Sequence, residues 1–310
     1  MNIKKISKKE LIDIYSKMYT SRTLDYKQIN LLKQGKGYFH IAASGHEACQ
    51  VAASKFYNPK TDYSYPYYRD QAFCMGIGMK TEEILSSFFA KKNDPNSYGR
   101  QMPQHYSHKK INIVTQSSPT GTQFLQAVGT AFAIKRNNSN GIVYVSSGEG
   151  TASQGDFHEA LNWSSRDKSS VIFHVEDNGY AISVPISDQI SGGSVYQIAS
   201  GYENLMRINI DGTDYFESFL AFKKATDRAR EGLGPSIIVS KVVRLFPHSS
   251  SDDQKKYRTD SELKEDIDND PISKFKNMCI ESNKIKESDF KKIDDKIESE
   301  VSEISDLAEN

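Results

Sequence analysis

The stretch from Gly141 to Ser183, GIVYVSSGEGTASQGDFHEALNWSSRDKSSVIFHVEDNGYAIS, constrains the fold more than any other part of the chain. Ile142, Val143, Tyr144 and Val145 form a β-branched and aromatic run that ends at Ser146 and breaks into Gly148-Glu149-Gly150. Phe157, Ala160, Leu161 and Ser164 then recur at helical spacing. Val171, Ile172, Phe173 and Val175 make a second apolar run, which stops at Glu176-Asp177-Asn178-Gly179. Strand, helix and strand at this spacing make a βαβ unit, whose strands lie parallel with a right-handed crossover. The turns after both strands therefore open at one edge of the sheet, where parallel folds hold ligands. Glu149 and Asn178, one on each turn, are expected to face each other there. A carboxylate and an amide carbonyl are hard oxygen donors suited to magnesium, which completes its octahedron with water and phosphate oxygens. The glycines let the backbone come close to a diphosphate. In isolation both would read as ordinary turn residues; the strand-helix-strand frame favours the ligand reading.

The rest of the chain extends this pattern. Ser7-Lys8-Lys9-Glu10 is a capping box ahead of a helix with Leu11, Ile14, Tyr15 and Met18 on one face, expected to run to Leu32. Gly45-His46-Glu47-Ala48 opens a small-residue helix, and Thr81 is expected to cap another. Tyr63 to Asp70 is rich in tyrosine and reads mostly as core, although the fork of Arg69 beside Tyr68 can hold a phosphate. Thr115 to Gln123, TQSSPTGTQ, is a hydroxyl-rich turn leading into a helix from Phe124 to Lys135; it can bind a phosphate or a bare cation, or simply cap the helix. Met206, Ile208 and Ile210 form a third strand and Ser236 to Val243 a fourth, around a helix bearing Tyr215, Phe219, Phe222 and Ala229. Pro247-His248-Ser249 then breaks all periodicity directly after a strand, where an active-site loop is expected, and His248 reads as either structural or catalytic. Phe290, Ile293, Ile297, Val301 and Ile304 stripe a charged helix near the end, and that stripe is expected to need another subunit or a continuation of the chain to cover it.

The pattern predicts an α/β fold, a parallel sheet flanked by helices. A helical extension spans 1–60, the α/β domain 61–272 and a helical tail 273–310. Lys plus Arg and Asp plus Glu are 40 each, so no net field favours a nucleic acid or an anionic membrane. Cys49, Cys74 and Cys279 are odd in number and scattered, which fits neither a disulfide framework nor a zinc site and points to a reducing compartment. No apolar stretch approaches the ~20 residues of a membrane span, and the start has neither a signal-peptide nor a transit-peptide pattern. The expected location is cytoplasmic.

Gly148-Glu149-Gly150, Gln154 to Ala160 and Asp177-Asn178-Gly179-Tyr180-Ala181-Ile182-Ser183 together resemble the thiamin diphosphate motif of the alpha subunit of 2-oxo acid dehydrogenases, the decarboxylating component of those complexes. The resemblance extends over Tyr68-Arg69-Asp70, Gly99 to Tyr106, Ser117-Ser118-Pro119, Thr122-Gln123 and His248 to Arg258. The glutamate of the first motif, with Gly-Arg-Gln-Met-Pro, looks most like the branched-chain enzymes. The resemblance implies a thiamin diphosphate-binding fold and oxidative decarboxylation of a branched-chain 2-oxo acid, with acyl transfer to the lipoyl domain of an acyltransferase component. A pyruvate or acetoin dehydrogenase alpha subunit is the alternative. Carried over by residue, Glu149, Asn178 and the main-chain carbonyl of Tyr180 resemble magnesium ligands, and Tyr68 and Arg69 match residues that hold the diphosphate. Gly148 and Gly150 line the cofactor, Ser118 resembles a cofactor-pocket residue, and Ser117, Pro119, Thr122 and Gln123 match a potassium-binding turn of some members. His248 matches a histidine that reaches the reacting thiazolium end. A beta subunit, separate or fused as a C-terminal continuation, is implied within an α2β2 assembly, because it supplies the glutamate that activates the aminopyrimidine. Some relatives are phosphorylated in the loop matching Ser249 and Thr259.

Three positions depart from the family pattern. Asp177 replaces the usual first asparagine, Glu176 stands where relatives can carry a basic residue, and Pro247 takes the place of a second histidine. Two extra carboxylates beside a diphosphate are unfavourable unless they point away or are paired. Two other readings compete. A nicotinamide dehydrogenase would use Glu176 on the ribose, but Ser153 occupies the place of the third glycine. A catalytically silent scaffold that binds a partner subunit is motivated by Glu176 and Asp177.

Overall fold

A computed structural model describes residues 3–309. The chain opens on α1 (Lys8–Lys33), where the Ser7 hydroxyl accepts from Glu10 N at 3.2 Å, which is one half of the expected capping box. α2 (Glu47–Ser54), β1 (Tyr63–Tyr65), α3 (Gln71–Gly76) and α4 (Thr81–Phe88) follow. Thr81 is the first residue of α4 and not its cap: Lys80 holds the N-cap position, and the Glu83 carboxylate reaches back to Lys80 N at 2.8 Å. α5 (Thr122–Arg136), β2 (Val143–Gly148), α6 (Gly155–Asp167) and β3 (Val171–Asp177) contain the anticipated βαβ unit. A small hairpin, β4 (Tyr180–Ala181) and β5 (Val184–Pro185), leads through the short helices α7 (Ile186–Gln189) and α8 (Val195–Ile198) to β6 (Met206–Asp211), α9 (Tyr215–Arg230) and β7 (Ser236–Lys241). α10 (Asp260–Asp268), α11 (Pro271–Glu281) and α12 (Glu287–Glu309) complete the described chain.

The main sheet has the order β1-β2-β3-β7-β6, and every neighbouring pair is parallel. Strand alternation sorts the side chains onto two faces. Val143, Val145, Phe173 and Val175 join Phe124 and Phe157 from α5 and α6, whereas Tyr144, Ile172 and Ile238 join Phe222 of α9 and the residues of α1 and α2. The register sets Gly148 opposite Glu176, Glu176 opposite Ser240 and Asp177 opposite Lys241. The turns after β2 and β3 and the loop after β7 therefore leave the sheet at the same level.

Two features differ from the sequence expectation. Residues 63–65 add a fifth, edge strand; three residues are too few to show a period. The stripe on α12 is covered from within the chain, by α1. Phe290 meets Tyr15 edge-on with ring centroids 4.5 Å apart, Tyr15 and Tyr19 donate to Asp294 and Glu298 at 2.8 and 2.7 Å, and Ile297 and Val301 are buried in the same cluster as Leu11, Ile14 and Met18. The stripe therefore gives no reason to expect a subunit there. Among the described residues, no helix is long and apolar enough to cross a membrane.

Candidate active site

At the carboxyl edge of β2 and β3 lies a cavity of about 280 Å³. Tyr68, Arg69, Gly148, Glu149, Gly150, Asn178, Tyr180 and His248 all line it, so residues from four separate motifs converge. Thr120, Thr151, Gln154, Ala181, Ile182 and Gln189 complete the wall.

Glu149 begins the turn after β2 and is fully buried. Its Oε2 accepts from Asn178 N at 3.1 Å, which ties the two turns together, while its Oε1 has no hydrogen-bond partner. Burial, and then the charge of Asp177, push its pKa up to about 7. Asn178 Oδ1 accepts from Tyr180 N at 3.3 Å, an Asx turn that orients the amide. Leaving a buried carboxylate oxygen without a donor is costly, and a hard cation at that oxygen removes the cost. On that ground the donor set of Glu149 and Asn178 fits a magnesium ion. Gly150 is required by packing: a Cβ there would lie 2.6 Å from Cβ of Ala181, and its carbonyl accepts from Gln189 Nε2 at 2.7 Å. The β4–β5 hairpin thus closes directly onto the glutamate turn. No side chain caps the start of α6, at Gln154 in the cavity wall, which leaves its first N–H groups and its dipole available to an anion.

The Arg69 guanidinium, also in the cavity wall, is almost fully buried. It donates to the Ala42 carbonyl through Nη1 and, through Nη2, to Nδ1 and the carbonyl of His248 at 3.2 and 3.0 Å. The Tyr68 ring meets His248 edge-on, with centroids 6.0 Å apart. Burial, and then the nearby charges of Arg69 and Arg244, lower the His248 pKa to about 3, against a smaller opposing effect of Asp252. His248 is therefore neutral near pH 7, and because its Nδ1 accepts from Arg69 its proton sits on Nε2.

The two unusual acids do not crowd this cavity. Strand alternation turns Glu176 inward, where its Oε2 lies 2.6 Å from His46 Nδ1 and accepts from Gln50 Nε2 at 2.8 Å, and its Oε1 lies 3.4 Å from His174 Nδ1. Burial, and then Asp70, raise its pKa well above the ordinary carboxylate range, so these groups rest in their neutral forms. A fully buried Glu176 cannot meet a ribose, which removes the nicotinamide reading. Asp177 accepts from Gly179 N at 2.9 Å and faces Lys241 Nζ at 3.6 Å.

The candidate potassium turn is only partly assembled. Thr122 Oγ1 donates to the Pro119 carbonyl at 3.2 Å, while Gln123 is turned inward, its Oε1 accepting from Gly121 N at 3.1 Å and its Nε2 donating to the Ser146 carbonyl at 3.2 Å. Ser117 is half-buried. Ser118 is exposed, bonded to His105 Nε2 at 2.7 Å, and Thr120 lines the cavity in its place. Thr259 caps α10 and is bound to Glu262, whose carboxylate also accepts from Tyr180 OH at 2.6 Å. Sequence reasoning missed Gln189 and Arg244. Arg244 is buried and donates to the Ile182 carbonyl at 3.0 Å and to Tyr257 OH at 2.8 Å; an arginine ending an apolar strand run was the available signal.

The family model for the dehydrogenase E1 component matches residues 15–310. The chain belongs to the dehydrogenase E1 component family. It is 39% identical over 305 residues to the 2-oxoisovalerate dehydrogenase subunit alpha of Bacillus subtilis (strain 168), covering 98% of this chain and 92% of that protein. The mitochondrial 2-oxoisovalerate dehydrogenase subunit alpha of Homo sapiens is 34% identical over 276 residues, 89% of this chain, which spans about three fifths (61%) of the human protein. The pyruvate dehydrogenase E1 component subunit alpha of Staphylococcus aureus (strain Mu50 / ATCC 700699) is 34% identical over 273 residues, 87% of this chain and 70% of that protein. E1 dehydrogenases work with thiamin diphosphate, which the family implies for this chain.

Proposed function

We propose that this E1 chain is the alpha half of a branched-chain 2-oxo acid dehydrogenase, which decarboxylates its substrate oxidatively and passes the acyl group to a lipoyl domain. The observation that carries the reading is the unpartnered, buried Oε1 of Glu149, tied to the Asn178 turn in a cavity that Arg69 and His248 also line. Glu149, Asn178 and the Tyr180 main chain would hold magnesium, and Tyr68, Arg69, Gly148, Gly150 and the start of α6 the diphosphate. The electron sink for decarboxylation belongs to the bound cofactor. This chain's own part is to fix the charged end through these residues, to line the cavity with Tyr68 and Ile182, and to present the Nε2 proton of a neutral His248. Ser117, Pro119, Thr122 and Gln123 would hold potassium once Gln123 turns outward, and Ser118 would join the pocket by a shift of the same turn. Residues 61–272 carry the cofactor grip, with 1–60 and 273–310 as helical extensions. A beta chain, separate or fused, completes the active site in an α2β2 assembly. The free, buried thiols of Cys49, Cys74 and Cys279 support a cytoplasmic location.

The test is decarboxylation of 3-methyl-2-oxobutanoate and of pyruvate, with thiamin diphosphate, magnesium and the matching beta chain. A clear preference for the branched acid is expected. A preference for pyruvate, the second reading favoured by the Staphylococcus aureus relative, would overturn the substrate assignment. Decarboxylation at ~1 per second or faster by the chain alone would overturn the need for a beta chain.

A further inference from the structure

The segment from His40 to Gly45 runs as a strap between α1, the loop that holds Gln104 and the loop that holds His248. Asp25 on α1 is fully buried and aims both carboxylate oxygens at this strap. Its Oδ2 accepts from Ala43 N at 2.9 Å and from Ser44 Oγ at 2.6 Å, and its Oδ1 lies 3.1 Å from His40 Nε2. Gln104 binds the strap from the other side, through Nε2 to His40 Nδ1 at 2.5 Å and through Oε1 from Ile41 N at 3.1 Å. The far end is fixed by Glu47, which accepts from Gly45 N at 2.8 Å and is itself paired with Arg22 at 2.7 Å. Only glycine suits position 45, where φ is +106° and a Cβ would collide with the Val243 carbonyl, two residues beyond β7.

What the strap holds is the reacting side of the cavity. The Ala42 carbonyl accepts from Arg69 Nη1, and Arg69 Nη2 binds His248. The His40 carbonyl accepts from Ser250 N at 2.8 Å, two residues beyond His248. Arg69 and the His248 loop thus share one support, and that support takes its position from Asp25.

We propose that Asp25 is a positioning residue for the active site: through the His40–Ser44 strap it sets the Arg69 guanidinium and the His248 ring. The proposal rests on the reading that His248 acts at the reacting end. Displacing such a group by about 1 Å can cost up to about 100-fold in rate.

The test uses the assembled enzyme with its beta chain. Asp25→Asn keeps the shape of the side chain, and Ser44→Ala removes one of its bonds as a milder change. Two readouts separate positioning from general stability. With saturating cofactor, Asp25→Asn is expected to lower kcat about 10- to 100-fold in the native background but less than about twofold on top of His248→Ala, because residues acting as a unit are not additive. Calorimetry with thiamin diphosphate and magnesium chloride should show weaker binding, by about threefold or more, through Arg69. Ser44→Ala should show the same pattern in weaker form. Equal losses in both backgrounds, or unchanged kcat and affinity in Asp25→Asn and Ser44→Ala, would overturn the proposal. Ordinary turnover in His248→Ala alone would refute the role of His248 and leave the calorimetric arm to decide whether Asp25 sets Arg69.

Discussion

Acidification should destabilise the layer beneath the active site through His174. This residue is fully buried on β3, with its Nδ1 bound to Tyr144 OH and its Nε2 to Ser240 Oγ, both at 2.8 Å, and Phe222 edge-on with centroids 4.9 Å apart. Burial lowers its pKa from 6.5 to about 3. The folded ring therefore stays neutral down to about pH 3, while the unfolded chain binds a proton below pH 6.5. Stability from this group is full above the unfolded value and is lost as the pH falls toward the folded one. At pH 5 the folded ring is still neutral, so the size is set by the unfolded side, and linkage gives a loss of about 2 kcal/mol between pH 7 and pH 5. His46, also lowered by burial, acts in the same direction. Glu149 and Asp70, raised to about 7 and about 6, act in the opposite one, because they are protonated in the fold at a pH where the unfolded chain has released its protons. The whole-protein pH curve thus mixes signs, and the comparison must be with a variant. His174→Gln keeps a donor and an acceptor for Tyr144 and Ser240 but does not titrate. Urea unfolding of both proteins at pH 7, 6 and 5 should show the difference in stability shifting by about 2 kcal/mol in favour of the variant as the pH falls. Parallel curves would show that His174 is charged in the fold, or that it reaches solvent.

Other outcomes follow from the cavity. Glu149→Ala and Asn178→Ala should each weaken magnesium-dependent binding of thiamin diphosphate by at least about 100-fold in calorimetry while the far-ultraviolet circular dichroism stays unchanged; retained affinity in either would remove the metal assignment. His248→Ala should keep cofactor affinity within about threefold and lose about 10²- to 10⁴-fold in turnover, since the ring is a wall residue held by Arg69 and has no hydrogen bond to Glu149 or Asn178. Gly150→Ala forces its new methyl against Ala181 and should destabilise the chain by about 1–3 kcal/mol and weaken cofactor binding together, as read by thermal melting and calorimetry; a variant with native affinity would show that the hairpin can shift freely.

The parallel core was legible because β2 and β3 are buried along nearly their whole length and so read as continuous β-branched and aromatic runs broken by Gly and Asn. The positions of Glu149 and Asn178 were legible for a related reason: each stands immediately after such a run, and topology alone puts them at one edge. His248 lies seven residues past the end of β7, in the loop that brings it to the same cavity. Tyr63 to Tyr65 escaped because an edge strand of three residues carries no period. The partner of the α12 stripe escaped because periodicity gives the face of a helix but not what lies against it; α1, more than 250 residues earlier in the chain, covers it. Asp25, His40 and Gln189 had no motif, and their roles come from hydrogen bonds between segments far apart in sequence.

The two carboxylates that seemed to weigh against an anionic ligand show how much one strand residue decides. Successive side chains on β3 point to opposite faces, so Glu176 and Asp177 cannot both face the turn. Glu176 goes to the side of α2, where His46 and Gln50 receive it and Asp70 helps keep it protonated, so it adds no charge to the cavity. Asp177 lies close enough to raise the pKa of Glu149, and Lys241, 3.6 Å from Asp177, offsets part of that effect. A negative field focused on a buried carboxylate with a free oxygen favours a divalent cation. On the proposed reading an anion would enter as the ligand of that cation, with Arg69 in the same cavity to share its charge. The same acid that would repel a bare diphosphate would therefore strengthen the proposed site for a diphosphate that arrives with its metal.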